Sequence, residues 1–279
     1  MKKVIVVPTD FSHNASVAAR YALQFASLQG YGVHFLHAYL PFASAFQNPK
    51  ANEKDEQRVR EAAENDMKAF LEKLEAGIES VPTSNIVKGK LADSLDQFIK
   101  ERPVALVIMG THGTSGTRKD VLGSNTYDVA QSISVPLIVV PEHITEFRLH
   151  NTVLFTDYQK NDVQTLSEFK TVISGQEVPC TLVHLVPEAN EEVTEHGVKL
   201  EEWKQHLKKE VGYELLEIHL AQNKENLERV NEIMDHLDAD LSLLTLVEGR
   251  GFFEKLFHKS LAREIVLHPK RPVFLSAGS

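Results

Sequence analysis

Short apolar runs alternate with longer amphipathic segments along the first half of the chain. The apolar runs, typical of strands buried on both faces of a parallel sheet, are residues 3–7, 33–38, 85–87, 104–109 and 137–140. Between them, apolar residues recur at helical spacing over residues 14–29, about 53–78, 92–101 and 125–134. Ser12 is suited to cap the first of these helices, and Gly30 to end it. Strands that alternate with helices predict a parallel sheet with right-handed crossovers.

The second half of the chain repeats this plan. Its predicted strands are 151–157, 181–186, 213–220, 241–247 and 272–275, and its predicted helices lie near 191–209, 225–237 and 252–267. The pair Thr9-Asp10 recurs as Thr156-Asp157, and His37 recurs as His184. Because the histidine recurs in both halves, we expect it to be structural rather than catalytic. A polar segment at 143–150 separates the halves, so the sequence predicts two tandem α/β domains, 1–146 and 147–279.

Glycines cluster directly after the predicted fourth strand. Gly110 and Gly113 follow the apolar run 104–109, and the pair Gly123-Ser124 precedes a predicted helix. Glycine lets the backbone turn sharply and bring its N–H groups against a ligand. Those N–H groups and the N-terminus of the following helix favour an anion, above all phosphate. The loop therefore predicts a phosphate site, although turn-forming glycines and a capping Ser124 are the simpler structural interpretation.

The spacing Gly110-x-x-Gly113, nine residues, then Gly123-Ser124 resembles the nucleotide-binding signature of the universal stress protein family. The resemblance extends over almost the whole chain, since each half is similar to one complete domain of that family. It implies two doubly wound domains, each a five-stranded parallel sheet of order 3-2-1-4-5. It also implies that the first domain holds ATP, alone or with Mg²⁺, with the phosphates on these glycines.

Further nucleotide contacts are expected where the strands of the first half end, because doubly wound sheets bind ligands there. The resemblance gives Asp10 a bond to the ribose or the adenine edge, whereas a cap on the next helix is its structural alternative. Pro8 and Thr9 would line the adenine pocket, with a main-chain group at Ala38 beside the base. His112 is either a phosphate contact or an exposed loop histidine. The residues predicted to contact the nucleotide are Pro8, Thr9, Asp10, Ala38, Met109, Gly110, His112, Gly113, Gly123, Ser124 and Asn125.

The second half departs from the signature at the same loop. Leu246 stands opposite Gly110 and Lys259 opposite Gly123, while Ser260 matches Ser124. A side chain at the first position blocks close approach of the backbone to a ligand. We therefore expect the second half to have lost nucleotide binding of this kind, and we expect Asp157 to be a capping residue.

Composition narrows the functional classes. The formal net charge of −9 leaves no basic footprint for nucleic acid. No apolar run is long enough to cross a membrane, the apolar start of the chain is too short for a signal peptide, and Cys180 is the single cysteine. These features predict a cytoplasmic protein without an intramolecular disulfide. The thirteen histidines show no zinc-ligand spacing, so we expect no metal site.

The favoured interpretation is a cytoplasmic stress-response protein that binds ATP or another adenine nucleotide in its first domain. A slow ATPase or a related nucleotide-alpha-hydrolase is an alternative, disfavoured because no P-loop or dinucleotide fingerprint is present. A scaffold without nucleotide is a third possibility. Domains of the resembling family pair through their fifth strands, so we expect residues 273–275 to lie against 137–140. One chain would then be an intramolecular pseudo-dimer, and a further homodimer is compatible with this arrangement.

Overall fold

The computed structural model describes residues 3–41, 49–74, 81–111, 124–174, 176–186, 193–222, 227–244, 265 and 269–276. Its strands are β1 (Val4–Pro8), β2 (Gly32–Tyr39), β3 (Thr83–Lys88), β4 (Val104–Gly110), β5 (Leu137–Val140), β6 (Thr152–Phe155), β7 (Cys180–Val186), β8 (Leu216–Gln222), β9 (Leu241–Leu244) and β10 (Val273–Leu275). Its helices are α1 (His13–Gln29), α2 (Pro49–Leu74), α3 (Leu91–Glu101), α4 (Ser124–Ser132), α5 (Asn161–Val172), α6 (Val193–Val211) and α7 (Leu227–His236).

The strands form one ten-stranded sheet of order β3-β2-β1-β4-β5-β10-β9-β6-β7-β8. Within each half the order is therefore 3-2-1-4-5, with parallel pairing throughout, as the sequence predicts. The halves join where β5 and β10 run antiparallel, with Val139 opposite Val273 and Leu137 opposite Leu275. The expected pairing of these two strands is thus observed.

Alternate side chains of each strand enter two separate hydrophobic clusters, one on each face of the sheet. On β1, Ile5 and Val7 belong to the first cluster and Val6 to the second. The first cluster packs under α1, α2, α5 and α6, and the second under α3, α4 and α7. Helices therefore cover both faces, which explains why the strands read as continuous apolar runs. This arrangement is the doubly wound α/β fold.

Several element boundaries differ from the sequence predictions. Helix α2 begins at Pro49 rather than near residue 53, since proline is well tolerated in a first helical turn. Strand β3 spans six residues, three more than the predicted strand 85–87. No bounds were predicted for helix α5, although a capping role for Asp157 implies a helix there, and the residue before it, Lys160, makes no side-chain capping bond. The predicted helix 252–267 lies outside the described residues apart from Ile265, which is helical.

Within the described ranges, none of the helices combines the length and the apolar character needed to cross a membrane.

Candidate functional site

The ends of β1, β2 and β4 bring most of the describable predicted site residues to one edge of the sheet. Strand β1 lies between the other two, with Pro8 opposite Leu36 of β2 and Val6 opposite Val107 of β4. Thr9 and Asp10 follow directly after β1. Ala38 lies near the end of β2, and β4 ends with Met109 and Gly110. The carboxyl ends of parallel strands thus form a common edge, where doubly wound folds bind their ligands.

A hydrogen-bonded turn connects β1 to α1. The Phe11 amide donates to Thr9 Oγ1 at 3.0 Å, and the Ser12 amide donates to Asp10 Oδ1 at 3.2 Å. Phe11 has a φ of 65°, in the left-handed region that non-glycine residues rarely adopt. Its ring stacks on His37 with centroids 4.4 Å apart. The side chains of Thr9 and Asp10 therefore hold the backbone in a strained turn.

The helix cap is Ser12 rather than Asp10. The Ser12 side chain accepts a hydrogen bond from the Ala15 amide, and its backbone is extended, as expected of an N-cap. The predicted cap is confirmed. Asp10 is half-buried and contacts the turn before the helix. Its carboxylate lies at the strand edge, where the sequence predicts a ribose or adenine contact.

Gly110 packs closely against Asn14, a role that the sequence does not predict for this glycine. A Cβ atom on Gly110 would lie 2.5 Å from Asn14 Oδ1 and 3.1 Å from the Asn14 carbonyl oxygen. Real Cβ atoms essentially never approach another atom to 2.5 Å, and 3.1 Å is tighter than most of their contacts. The end of β4 therefore packs directly against the first turn of α1, which makes this glycine a packing requirement whatever ligand the loop holds.

Polar side chains surround this close contact. Asn14 Nδ2 donates to Thr111 Oγ1 at 3.2 Å, and Thr126 Oγ1 donates to the Gly110 carbonyl oxygen at 3.0 Å. Asn14, Thr111 and Thr126 are only 5%, 3% and 2% exposed. We call Asn14, Gly110, Thr111 and Thr126 the edge cluster. The sequence predictions named only Gly110 of these residues.

One signal in the sequence points to Asn14. It stands five residues after Thr9, and Asn161 stands five residues after Thr156 in the second half. A comparison of the two halves could therefore have found it, whereas nothing in the sequence indicates that Thr126 reaches back to β4.

Residues 112–123 form the loop that connects Thr111, directly after β4, to the start of α4, and they lie outside the described residues. The predicted contacts His112, Gly113 and Gly123 belong to it, so their positions are not described. Ser124 is the first residue of α4, and Asn125 follows it with an exposed side chain. The described residues thus place both ends of the predicted phosphate loop at the strand edge.

The second half has the same turn at the end of its first strand. The Tyr158 amide donates to Thr156 Oγ1 at 2.9 Å, and Tyr158 has a φ of 64°. His184 Nδ1 lies 2.9 Å from the Thr156 carbonyl oxygen, and the corresponding distance from His37 to Thr9 is 2.7 Å. Both histidines thus support the same turn, in agreement with the structural role predicted for them.

The surroundings of the two turns differ on the side of the long helix. In the second half, His196 of α6 stacks on His184 with centroids 5.2 Å apart. Lys199 lies over the Tyr158 ring at 4.4 Å. The buried stripe Ala63, Met67, Phe70 and Leu74 of α2 has the same spacing as His196, Leu200, Trp203 and Leu207 of α6. By this spacing, His196 corresponds to the small Ala63 of the first half.

Asp157 lies close to the buried histidine of its turn. Its Oδ1 lies 3.4 Å from Nδ1 of His184, which is almost fully buried. The carboxylate therefore lies beside the histidine of its own turn, and the N-cap position of α5, for which the sequence predicts Asp157, falls at another residue. Lys160 takes the position before α5, without a side-chain capping bond.

Among the described residues, no group of three His, Cys, Asp or Glu side chains is arranged to hold a metal ion. Burial raises the pKa of the Cys180 thiol to about 12, so this cysteine stays protonated and is a poor nucleophile.

The fold and its strand edge define a doubly wound α/β protein. Residues 1–141 match the sequence profile of the universal stress protein family. The chain is 27% identical over 155 residues to universal stress protein MJ0577 of Methanocaldococcus jannaschii, an alignment that covers 50% of this chain and 95% of that protein. The chain belongs to the universal stress protein family.

Solved structures extend the likeness of fold to the full length. A universal stress protein from Archaeoglobus fulgidus DSM 4304 has a TM-score of 0.69 at 17% identity, covering 98% of this chain and 96% of the other. Protein PA1789 of Pseudomonas aeruginosa PAO1 has a TM-score of 0.56 at 12% identity, covering 99% and 92%. At such identities the similarity concerns the fold alone.

Proposed function

We propose that the first half binds ATP or another adenine nucleotide, and that the protein is a nucleotide-dependent regulatory module of a cytoplasmic stress response. The observation that carries this proposal is the common edge formed by Thr9 and Asp10, Ala38, and Gly110. Gly110 is the last residue of β4, and this strand leads directly into the loop that has the family's glycine spacing. Membership of the universal stress protein family supports it.

The roles of the individual residues follow from their positions. Asp10 is half-buried at the edge, and a carboxylate there suits the hydroxyl groups of a ribose. Ala38 supplies main-chain groups beside the base, next to Pro8 and Thr9. The N-terminus of α4, which begins at Ser124, suits the negative charge of the phosphates. Mg²⁺ would accompany the triphosphate through its own phosphate oxygens.

The second half serves as a structural partner rather than a second nucleotide site. Its loop sequence has Leu246 and Lys259 in place of two glycines, and its turn is covered by the His196 ring, which stacks on His184 and corresponds by spacing to the small Ala63. Its last strand covers the edge of β5. One chain is then the equivalent of a dimer of single-domain proteins, and only one half keeps the site.

Calorimetry on the full chain with a matched pair of variants tests the proposal. We expect one ATP site per chain, an at least tenfold weaker site in Asp10→Ala, and unchanged affinity in Asp157→Ala. The two substitutions remove the same group from equivalent turns, and the thermal midpoint of each variant shows its own effect on folding. Two equivalent sites, or equal loss in both variants, would contradict a site confined to the first half.

A second variant tests the phosphate loop. Gly123→Val adds a branched side chain where the phosphates are expected, so it should abolish ATP binding and leave the thermal midpoint unchanged. Lys259→Val, at the matching position of the second half, is the control. An unchanged ATP affinity in folded Gly123→Val would reject the phosphate role of the loop.

A further inference from the structure

A cavity of about 250 Å³ lies where the two halves of the chain meet, and we call it the junction cavity. Tyr21 of α1 lines it from the first half, and Asp238 and Asp240 line it from the segment between α7 and β9. Further wall residues come from the segment 143–148, which joins the halves. Pockets for drug-sized ligands are larger, about 300–1,000 Å³, so this cavity suits a smaller molecule.

The hydroxyl group of Tyr21 is buried and has no hydrogen-bond partner among the described residues. The residue is 3% exposed, and its ring packs edge-on against Phe147, with the ring centroids 4.9 Å apart. Burial, and after it the nearby carboxylate of Asp240, raise the pKa of this hydroxyl, so it stays protonated. A buried hydroxyl without a partner costs free energy, whereas phenylalanine would fill the same space without that cost. The hydroxyl therefore calls for a partner from outside the described residues.

Asp240 brings a carboxylate to the same cavity. Its side chain is 9% exposed, and its Oδ2 accepts the main-chain amides of His150 at 2.7 Å and Asn151 at 3.3 Å. The His150 ring lies 3.7 Å from this oxygen, but it is 80% exposed and charged only when it is protonated. The amide donors fix the position of the carboxylate without removing its charge. Asp240 thus holds a negative charge near the Tyr21 hydroxyl.

The two arginines of the cavity wall are already paired with other carboxylates. Arg271 Nη2 lies 2.9 Å from Asp235 Oδ1, and Arg148 Nε lies 3.9 Å from Glu146 Oε2. The two aspartates of the wall, by contrast, have no lysine or arginine partner in the part of the chain that the structure describes. The junction cavity therefore carries a surplus of negative charge, which favours a cation.

The wall between these charges is apolar. Ile144, Ala239 and Pro272 line the cavity, and Ala239 is only 2% exposed. Such a wall suits a methylene chain that ends in a charged group. Within the described ranges, no three His, Cys, Asp or Glu side chains are arranged to hold a metal ion. An organic cation with an aliphatic stem fits these features better than a metal ion does.

We propose that the junction cavity binds a small aliphatic diamine, with one ammonium group between Tyr21 and Asp240 and the other at Asp238. The Tyr21 oxygen accepts a hydrogen bond from the first ammonium group, and the methylene chain lies along Ile144. Such a ligand contacts both halves, so its binding stabilises the folded chain at their junction. The site is separate from the strand edge and does not depend on the nucleotide.

Calorimetry and the thermal midpoint of the full chain in putrescine test this proposal. The ionic strength is held constant, because a chain with a net charge of −9 attracts cations in general. We expect one saturable putrescine site per chain. Butylamine, which lacks the second ammonium group, should bind about tenfold more weakly, and butanol, which has no charge, should not bind.

Three variants separate the contacts. Tyr21→Phe removes only the hydroxyl, so it should weaken putrescine binding about tenfold and leave the midpoint of the unliganded chain unchanged or raised. Asp240→Asn keeps an oxygen for the two amides and loses the charge, so it should weaken putrescine binding by a similar factor. Asp238 has a φ of 46°, which asparagine tolerates. Asp238→Asn should reduce the affinity for putrescine to that for butylamine and leave butylamine binding unchanged.

Asp96→Asn is the matched control, because Asp96 pairs with Lys100 on α3, outside the junction cavity. It makes the same change in net charge and should bind putrescine as the unmodified chain does. A response that does not saturate, putrescine bound no tighter than butylamine, or equal affinities in Asp240→Asn and Asp96→Asn would show only a general attraction of cations and overturn the proposal. A lowered midpoint of unliganded Tyr21→Phe would also overturn it, since the hydroxyl would then have a partner within the chain.

Discussion

His37 bonds to the backbone at the end of β1, with its Nδ1 2.7 Å from the carbonyl oxygen of Thr9. A carbonyl oxygen only accepts hydrogen bonds, so Nδ1 carries the proton. The same ring stacks on Phe11, whose φ of 65° requires support from its neighbours. His184, Thr156 and Tyr158 repeat this arrangement in the second half. The shared turn is therefore a structural element of both halves.

The first prediction concerns this pair of histidines. Replacing either with alanine removes a hydrogen bond, part-buried at His37 and buried at His184, and a ring contact, so each change should lower the free energy of unfolding by about 1–3 kcal/mol. Only His37→Ala should also weaken the binding of ATP, because only the first half carries the proposed nucleotide site. Urea unfolding and calorimetry measure the two effects. A folded His184→Ala chain with impaired ATP binding would contradict a nucleotide site confined to the first half.

The second prediction concerns the contact between Gly110 and Asn14. Gly110→Ala places a Cβ 2.5 Å from Asn14 Oδ1, so we expect a loss of about 1–3 kcal/mol in the free energy of unfolding. Adding Asn14→Ala removes that oxygen and should recover part of the loss, although the Asn14 backbone carbonyl remains 3.1 Å away. The double-mutant cycle in urea measures this coupling.

Gly197→Ala is the control for the glycine substitution itself. No atom lies within 4 Å of a Cβ at Gly197, which is inside helix α6, so alanine there should leave stability unchanged or raise it by up to about 1 kcal/mol. Additive effects of Gly110→Ala and Asn14→Ala would show that the two residues are not in the close contact described.

The strands of the sheet could be predicted from the sequence, whereas the contact between Gly110 and Asn14 could not. Buried parallel strands read as continuous apolar runs, so the β5 boundaries and the strand order followed from the pattern and the family resemblance. The packing role of Gly110 depends on its distance to a residue 96 positions earlier, which no local pattern encodes. The start of helix α5 could not be predicted because Lys160, which precedes it, gives no capping signal. The loop residues His112, Gly113 and Gly123 remain predictions.

The third prediction concerns acid stability. Burial, with a smaller contribution from Arg102, lowers the pKa of His34 below its ordinary 6.5, and the hydrogen bond to Asn85 opposes this in part. The unfolded chain therefore takes up a proton first as the pH falls. His34 contributes stability above pH 6.5, and this contribution is lost as the pH falls from there through the lowered pKa of the folded state.

The measurement is the urea midpoint between pH 7.5 and pH 5. Its decline on acidification should be shallower in His34→Gln. Burial, His236 and Arg229 lower the pKa of His219 in the same way, so His219→Gln should also make this decline shallower. The urea midpoint of the double variant should decline least of all. An identical decline in His34→Gln and the unmodified chain would contradict the assignment.

The last prediction concerns the junction of the two halves. All four residues of β5 are buried, and β10 pairs along its outer edge in antiparallel register. Without residues 147–279 this edge would be open, and an open apolar edge strand pairs readily with another chain. A second β5 could take the place of β10, because antiparallel pairing of one strand with its own copy has two-fold symmetry. We expect a 1–146 fragment to self-associate, with a mass that rises with concentration in analytical ultracentrifugation.

Hydrogen exchange locates the surface used. In the associated fragment the amides of residues 137–140 should exchange slowly, as they should in the full chain, where β10 covers them. Dilution to the monomer should make this edge exchange faster, while the amides of β1, in the interior of the sheet, stay protected. The full chain run at the same concentrations is the control, since its β5 edge is already paired. A folded fragment that stays monomeric at its highest soluble concentration would show that β5 does not need the second half to cover it.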